Sequence, residues 1–161
     1  MKISVTWHSP VRLPLPMSRL HERFDLELLP DEPAIYMLAR RFGLRLEILY
    51  VGKAGSLRRR IRQQLNNLKL MQAVDDAQIG PRVLIFGTLN CKPGQRSEVV
   101  LEIVERALID HYTEAGDQLI NKLGTKLPVD VIEFEGNRLA RHRSGRQIRV
   151  PKRRGRGGEI A

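Results

Sequence analysis

The chain has 161 residues, 28 lysines and arginines against 18 acidic residues, and a net charge of +10. A chain of this length builds one self-sufficient core, and its single cysteine, Cys91, excludes an intrachain disulfide or a cysteine zinc cluster and suits a reducing compartment. No run approaches the ~18 apolar residues of a membrane helix, and Met1 to Trp7 holds no apolar stretch of the signal-peptide kind; a soluble, cytoplasmic protein without membrane attachment is expected.

The alternation of Ile3, Val5 and Trp7 with Lys2, Ser4 and Thr6 predicts a strand, followed by a proline-rich extended stretch, His8 to Pro16. A short helix from Ser18 carries Leu20, Phe24 and Leu28 on one stripe. Next come two apolar, β-branched runs, PAIYMLARRF and EILYVGKAG, joined by Arg41 to Arg45; they read as one β-hairpin. With the turn centred on Gly43, position 36 faces 50, 38 faces 48 and 40 faces 46, so Tyr36 and Tyr50 are cross-strand neighbours. A bulge in the turn offsets that register by one.

Ser56 caps a helix running to about Asn67, with Leu57, Ile61, Leu65 and Leu68 as its stripe. Pro81 opens a strand, Arg82 to Leu89, apolar enough to be central despite Gly87. A long helix from about Ser97 to Ala115 carries Val100, Leu101, Val104, Ala107, Leu108 and Ile109, and Val129, Val131 and Phe134 mark a last strand. Beyond Gly136 the composition turns to Arg, Gly, Ser and Pro. Nine Lys or Arg and one acid between Arg138 and Ala161 carry +8 of the charge, the form of an electrostatic arm for polyanions, disordered without its ligand.

Ala34-Ile35-Tyr36 and Tyr50-Val51-Gly52, followed by Lys53 and an arginine-rich helix, resemble the paired tripeptides of the GIY-YIG nuclease superfamily, whose members include homing and restriction endonucleases and the incision subunit of bacterial nucleotide-excision repair. YVGKAGSLRRRI is similar to the family's path from strand into helix, and ERALIDHY to the helix carrying its metal-binding glutamate. The resemblance covers roughly residues 32 to 125 and departs at Ala34, where the family usually has glycine. It implies an α/β (α+β) domain with a three-stranded antiparallel sheet flanked by helices. With it go residues 1–30 as an N-terminal extension packing on the domain, 31–136 as the nuclease domain, and 137–161 as the basic tail.

Phosphodiester hydrolysis needs a positioned water, a base, a cation for the phosphate and donors for the charge of the transition state. Glu105 falls on the apolar stripe of Leu101, Leu108 and Tyr112, where a carboxylate is costly unless paired or metal-bound. The resemblance makes it the metal ligand, holding Mg²⁺ or another divalent cation such as Mn²⁺, with Glu102 as fallback. On a helical wheel Arg59 points away from the apolar face, Arg58 lies beside Leu65, and Arg60 and Arg62 flank it on opposite edges, so either edge arginine reaches a neighbouring site. The resemblance selects Arg60 as the family's site arginine, and it matches Lys53 to a lysine many members carry. Tyr36 is the preferred proton acceptor, with Tyr50 orienting water or phosphate, although either tyrosine fits the pattern. Asn121, sixteen residues after Glu105, is similar to the asparagine that ties the family's site together by hydrogen bonds. His111 lies about 240° around the helix from Glu105 and is structural.

Arg58, Arg59, Arg62, Arg149, Lys152, Arg153, Arg154 and Arg156 are the candidate contacts to nucleic acid. The expected activity is metal-dependent endonucleolytic cleavage of DNA, site choice lent by a specificity partner or low, and neither pathway nor oligomeric state specified. The rival expectation is a non-catalytic DNA- or RNA-binding protein that retains the fold and binds through its tail.

Overall fold

The computed structural model describes residues 2–14, 16, 20–77, 80–121 and 130–150. The described residues form an α+β fold around one seven-stranded mixed sheet. The hairpin is present as β3 (Ala34–Phe42) and β4 (Arg45–Ala54), and its neighbour is β5 (Arg82–Leu89), antiparallel to β3. These are the three strands expected.

The sheet does not stop there, which corrects the three-stranded expectation. β1 (Lys2–Trp7) pairs with the far edge of β5, β2 (Val11–Leu13) pairs with the other half of that edge, and β6 (Asp130–Gly136) runs parallel to β1. Gly87 is what lets β1 lie against β5: a Cβ there would stand 2.6 Å from Val5 Cγ1 and 2.9 Å from Trp7 Cε3. Residues 2–7 are therefore an interior strand of the sheet, not an extension packed on it.

The tail expectation is corrected in part. Arg138–Ser144 is a helix, α5, capped by the Asn137 side chain, which accepts from Leu139 N and Ala140 N, and Gln147–Val150 is a strand, β7, antiparallel to β6. Composition misled because few apolar groups suffice here. Ala140 and Ile148 are buried, Leu139 packs against the core, and the Ser144 hydroxyl receives the Trp7 indole N–H at 3.2 Å, while Trp7 stacks on Phe134 with centroids 5.5 Å apart. Lys152, Arg153, Arg154 and Arg156 lie outside the described residues, as does Val129, and of Arg149 only the backbone, opposite Val131, is described.

Helices cover both faces of the sheet. The long helix α4 (Ser97–Glu114) packs Val100, Val104, Ala107 and Leu108 with Ile35, Met37, Ile85 and the β1 side chains. The opposite face carries α2 (Leu57–Leu65) and α3 (Leu68–Asp75) over Ala34, Tyr36, Leu38, Leu84 and Phe86. The helix expected to run to Asn67 breaks there, because the Asn67 side chain accepts from Leu70 N and starts α3, leaving Leu68 exposed. The N-terminal helix α1 (Leu20–Arg23) is likewise shorter than its stripe suggested; Leu28 is exposed in a 3₁₀ turn, Leu26–Leu28, while Phe24 and Leu29 enter the core. Arg82 is 3 % exposed and donates to the carbonyls of Val74, Asp75 and Ala77, which closes the C-terminal end of α3.

Candidate active site

Site geometry begins with the hairpin register. Tyr36 lies opposite Gly52 and Leu38 opposite Tyr50, then a bulge skips Leu49 so that Ala39 faces Ile48 and Phe42 faces Arg45. The predicted pairing of Tyr36 with Tyr50 is therefore displaced by two residues at that end. Two is the sheet's side-chain period, so both tyrosines still share a face. As diagonal neighbours their rings stack, centroids 6.0 Å apart and planes 28° from parallel.

Tyr36 can lie flat across β4 only because position 52 is glycine. A Cβ on Gly52 would stand 2.5 Å from both Tyr36 Cζ and its hydroxyl oxygen. The small residue of the second tripeptide is thus the seat of the tyrosine of the first.

A residue unremarked in the sequence holds the pair together. Gln64, 6 % exposed on α2, donates from Nε2 to the Tyr36 hydroxyl at 3.0 Å and to the Tyr50 hydroxyl at 3.3 Å. The signal that could have found it is a polar residue seven positions after Leu57 and three after Ile61, on the inward stripe, where a buried amide needs partners. Arg60, one turn earlier, faces the same phenols. Burial works against its charge, but attraction to Tyr36 and Tyr50 outweighs that and leaves the guanidinium more firmly protonated than usual.

Tyr36 is fully buried. Burial first, and neighbouring Tyr50 second, push its ionisation well above the usual tyrosine range, with Gln64 and Arg60 pulling back only in part. Desolvation thus weighs against Tyr36 as a proton acceptor, and half-buried Tyr50 is the more exposed phenol of the pair.

Alternation along β4 puts Lys53 on the other face of the sheet from Gly52, opposite Ile35 and under α4. There its Nζ lies 2.9 Å from Glu105 Oε2, the side chains 40 % and 23 % exposed. Where β4 ends, the two faces meet in a cleft of about 480 Å³ lined by Lys53, Ala54, Gly55, Ser56, Arg59, Arg60, Gln63, Glu98, Leu101 and Glu105. Lys53, Arg60 and Glu105 thus converge on one opening. The tyrosines stand behind it, connected through Arg60. Glu98, two turns before Glu105, is a second carboxylate on the same wall.

The remaining candidates separate cleanly. Glu102 pairs with Arg106 at 3.0 Å along α4. Arg59 is exposed on the cleft and Arg62 is exposed outside it. Arg58 has local partners: its guanidinium donates to the Leu29 carbonyl at 2.9 and 3.1 Å and pairs with Glu27 at 3.2 Å, latching α2 to the preceding loop. His111 lies 3.3 Å from the Arg143 carbonyl, away from the cleft.

Asn121 reaches the open edge of β4, accepting from Val51 N at 3.2 Å and donating to Val51 O at 2.6 Å. Ile120 N adds a bond to Leu49 O at 2.7 Å. The loop after α4 therefore pairs with the edge strand from Leu49 to Val51, holding Tyr50 from its backbone on either side.

Among the described residues no three His, Cys, Asp or Glu side chains form a metal cluster. A hard cation such as Mg²⁺ is commonly held by one or two carboxylates, with waters and substrate oxygens completing the shell. Glu105, half-buried at the cleft, can serve as the carboxylate of that loose arrangement, whereas Glu98, two turns away, is exposed and pairs with Arg96 at 3.5 Å.

A stretch of 45 residues, 28% of this chain, is 46% identical to UvrABC system protein C of Clostridium beijerinckii. The same protein of Clostridium perfringens is 43% identical over 45 residues. The chain spans about 7% of the length of these curated relatives. No family model matches the chain, and no solved structure matches it. The partial similarity is compatible with a domain of the GIY-YIG nuclease kind. Among the described residues no helix is long and apolar enough to cross a membrane.

Proposed function

We propose that the chain is a metal-dependent endonuclease that hydrolyses DNA phosphodiester bonds at the cleft between α2 and α4. The observation that carries this reading is the convergence of Lys53, Arg60 and Glu105 on one opening, with two hydrogen-bonded tyrosines behind Arg60. The partial similarity to UvrABC system protein C supports it.

Arg60 and Arg59 offer fixed positive charge to a phosphate entering the cleft. The planar guanidinium of Arg60 stands beside the two phenols at the cleft, where its fixed charge can meet the charge that builds on the phosphoryl oxygens. Lys53 releases Glu105 as it turns to the phosphate. Glu105 would then hold a divalent cation, which would supply Lewis-acid relief of the phosphoryl and leaving oxygens. Tyr50 orients the attacking water, its hydroxyl fixed by Gln64 and the backbone of the next residue, Val51, held by Asn121.

Incubation of supercoiled plasmid with the wild-type protein tests the reading. Nicked circles are expected with Mg²⁺ or Mn²⁺ and none with EDTA; intact plasmid in every divalent metal tried would overturn it. The rival is a binding module that keeps the fold without the chemistry, and the Lys53–Glu105 ion pair favours it, since the ammonium already engages the carboxylate that a catalytic cation needs. Such a module binds DNA equally well with EDTA and leaves the plasmid intact.

A second expectation concerns Gln64. Gln64→Leu keeps the side chain's size but removes the donor to both phenols, and a roughly tenfold to hundredfold loss of kcat with little change in KM is expected, as for misplaced positioning groups. Unchanged single-turnover cleavage by Gln64→Leu would remove the tyrosine pair from the chemistry.

A further inference from the structure

We infer that the tip of the β3–β4 hairpin, with α5 beside it, is a second contact surface for duplex DNA, separate from the cleft; the inference rests on the nuclease reading for the identity of the polyanion. Two basic hollows flank Phe42 at this tip. One, of about 720 Å³, is bordered by Arg12 and Arg41, and the other, of about 480 Å³, by Arg45 and His142.

The local acids are already engaged. Glu47 accepts from Arg40 Nε at 2.8 Å, and Asp117 is paired with Arg143. Arg12, Arg41 and Arg45 are exposed and have no carboxylate partner among the described residues; Arg41 donates only to the Gly43 carbonyl at 3.2 Å. Uncompensated cations of this kind are what counterion release rewards. Phe42 and Leu44, 41 % and 79 % exposed, stand between them, so the cations are spread over two hollows, which suits an extended polyanion better than a free small anion.

The tip lies at the opposite end of β3 from the cleft. Eight residue steps from Ala34 to Phe42, at about 3.3 Å each, separate the two by about 26 Å. At about 3.4 Å per base pair that is seven to eight base pairs of straight duplex. DNA gripped at both places therefore runs along the hairpin, and the tip acts on flanking duplex, not on the scissile bond.

The double variant Arg41→Glu/Arg45→Glu tests this, both side chains being exposed enough to leave the fold intact, as circular dichroism and thermal melting would verify. Binding is measured in EDTA, where cleavage is not involved, on a blunt DNA duplex of about 24 base pairs and on one of about six. The expected result is a drop of about tenfold or more in affinity for the long duplex, a salt slope shallower by about two, and no difference on the short one. Equal affinity and slope on the long duplex would overturn the proposal, as would equal losses on both lengths. A loss seen with an RNA duplex of the same length and not with DNA would overturn the choice of DNA. Failure to nick plasmid bears on the nuclease reading alone, since none of these readings depends on cleavage.

Discussion

Replacing Glu105 by alanine is expected to lower plasmid cleavage by about three orders of magnitude or more, while duplex binding and the folded state survive. Glu105 is the half-buried carboxylate that faces Lys53 across the cleft, so its loss removes both the foothold for a divalent cation and the partner that restrains Lys53. The cost in stability is small, because an ion pair this open to solvent contributes about 1 kcal/mol or less. Arg60→Ala is expected to lower cleavage about a hundredfold to a thousandfold, with Arg60→Lys recovering little, since an ammonium cannot present the planar fork that meets both phenols and a phosphate. Single-turnover nicking with binding measured in parallel separates chemistry from affinity. Wild-type rates in Glu105→Ala would sink the metal assignment.

The second large effect is on stability and contradicts strand propensity. Valine suits a strand better than glycine does, so Gly52→Val should stabilise β4 on propensity alone. The packing predicts the reverse, a loss of about 3 kcal/mol, because the new Cβ would enter the ring of Tyr36, which is fully buried and held by Tyr50 and Gln64. Gly52→Ala should show most of the loss. Adding Tyr36→Phe should not restore it, since ring carbons Cζ and Cε1 make the contact at 2.5 and 2.8 Å. Urea denaturation midpoints for the three variants check this; a Gly52→Val protein as stable as the wild type would mean that position 52 does not seat the ring.

Much of the site was visible from the residues because local patterns place them. The tyrosines were found on one hairpin, and an error of two residues in their pairing did no harm, since side chains repeat every two along a strand. Ser56 marked the start of α2, where its hydroxyl accepts from Arg59 N, and the carboxylate on the apolar stripe of α4 marked Glu105. The local partners of Arg58 and the whole of Gln64 were passed over for one reason. A helical wheel tells which way a side chain points, not what waits there, and what waits there is the Leu29 carbonyl in one case and two phenols in the other.

The limits of composition are clearest at the two ends of the chain. The alternation in residues 2–7 announced a strand, and nothing local in it announced that this strand would lie inside the sheet between β5 and β6. The arginine-rich segment after Gly136 looked too polar to fold, yet Ala140, Ser144 and Ile148 are enough to anchor a helix and a strand against Trp7 and β6.

By itself the sequence determined the hairpin, the strands β1 and β5, the long helix α4, the shared face of the two tyrosines and the short list of charged groups, because periodicity and capping act over a few residues. Only the tertiary structure decided that Tyr36 is sealed from water, that Asn121 belongs to the edge of β4, and that Lys53 meets Glu105 from the opposite face to Arg60. Each of those depends on which distant segment fills the space beside the residue, and burial, unlike periodicity, is a property of the neighbours.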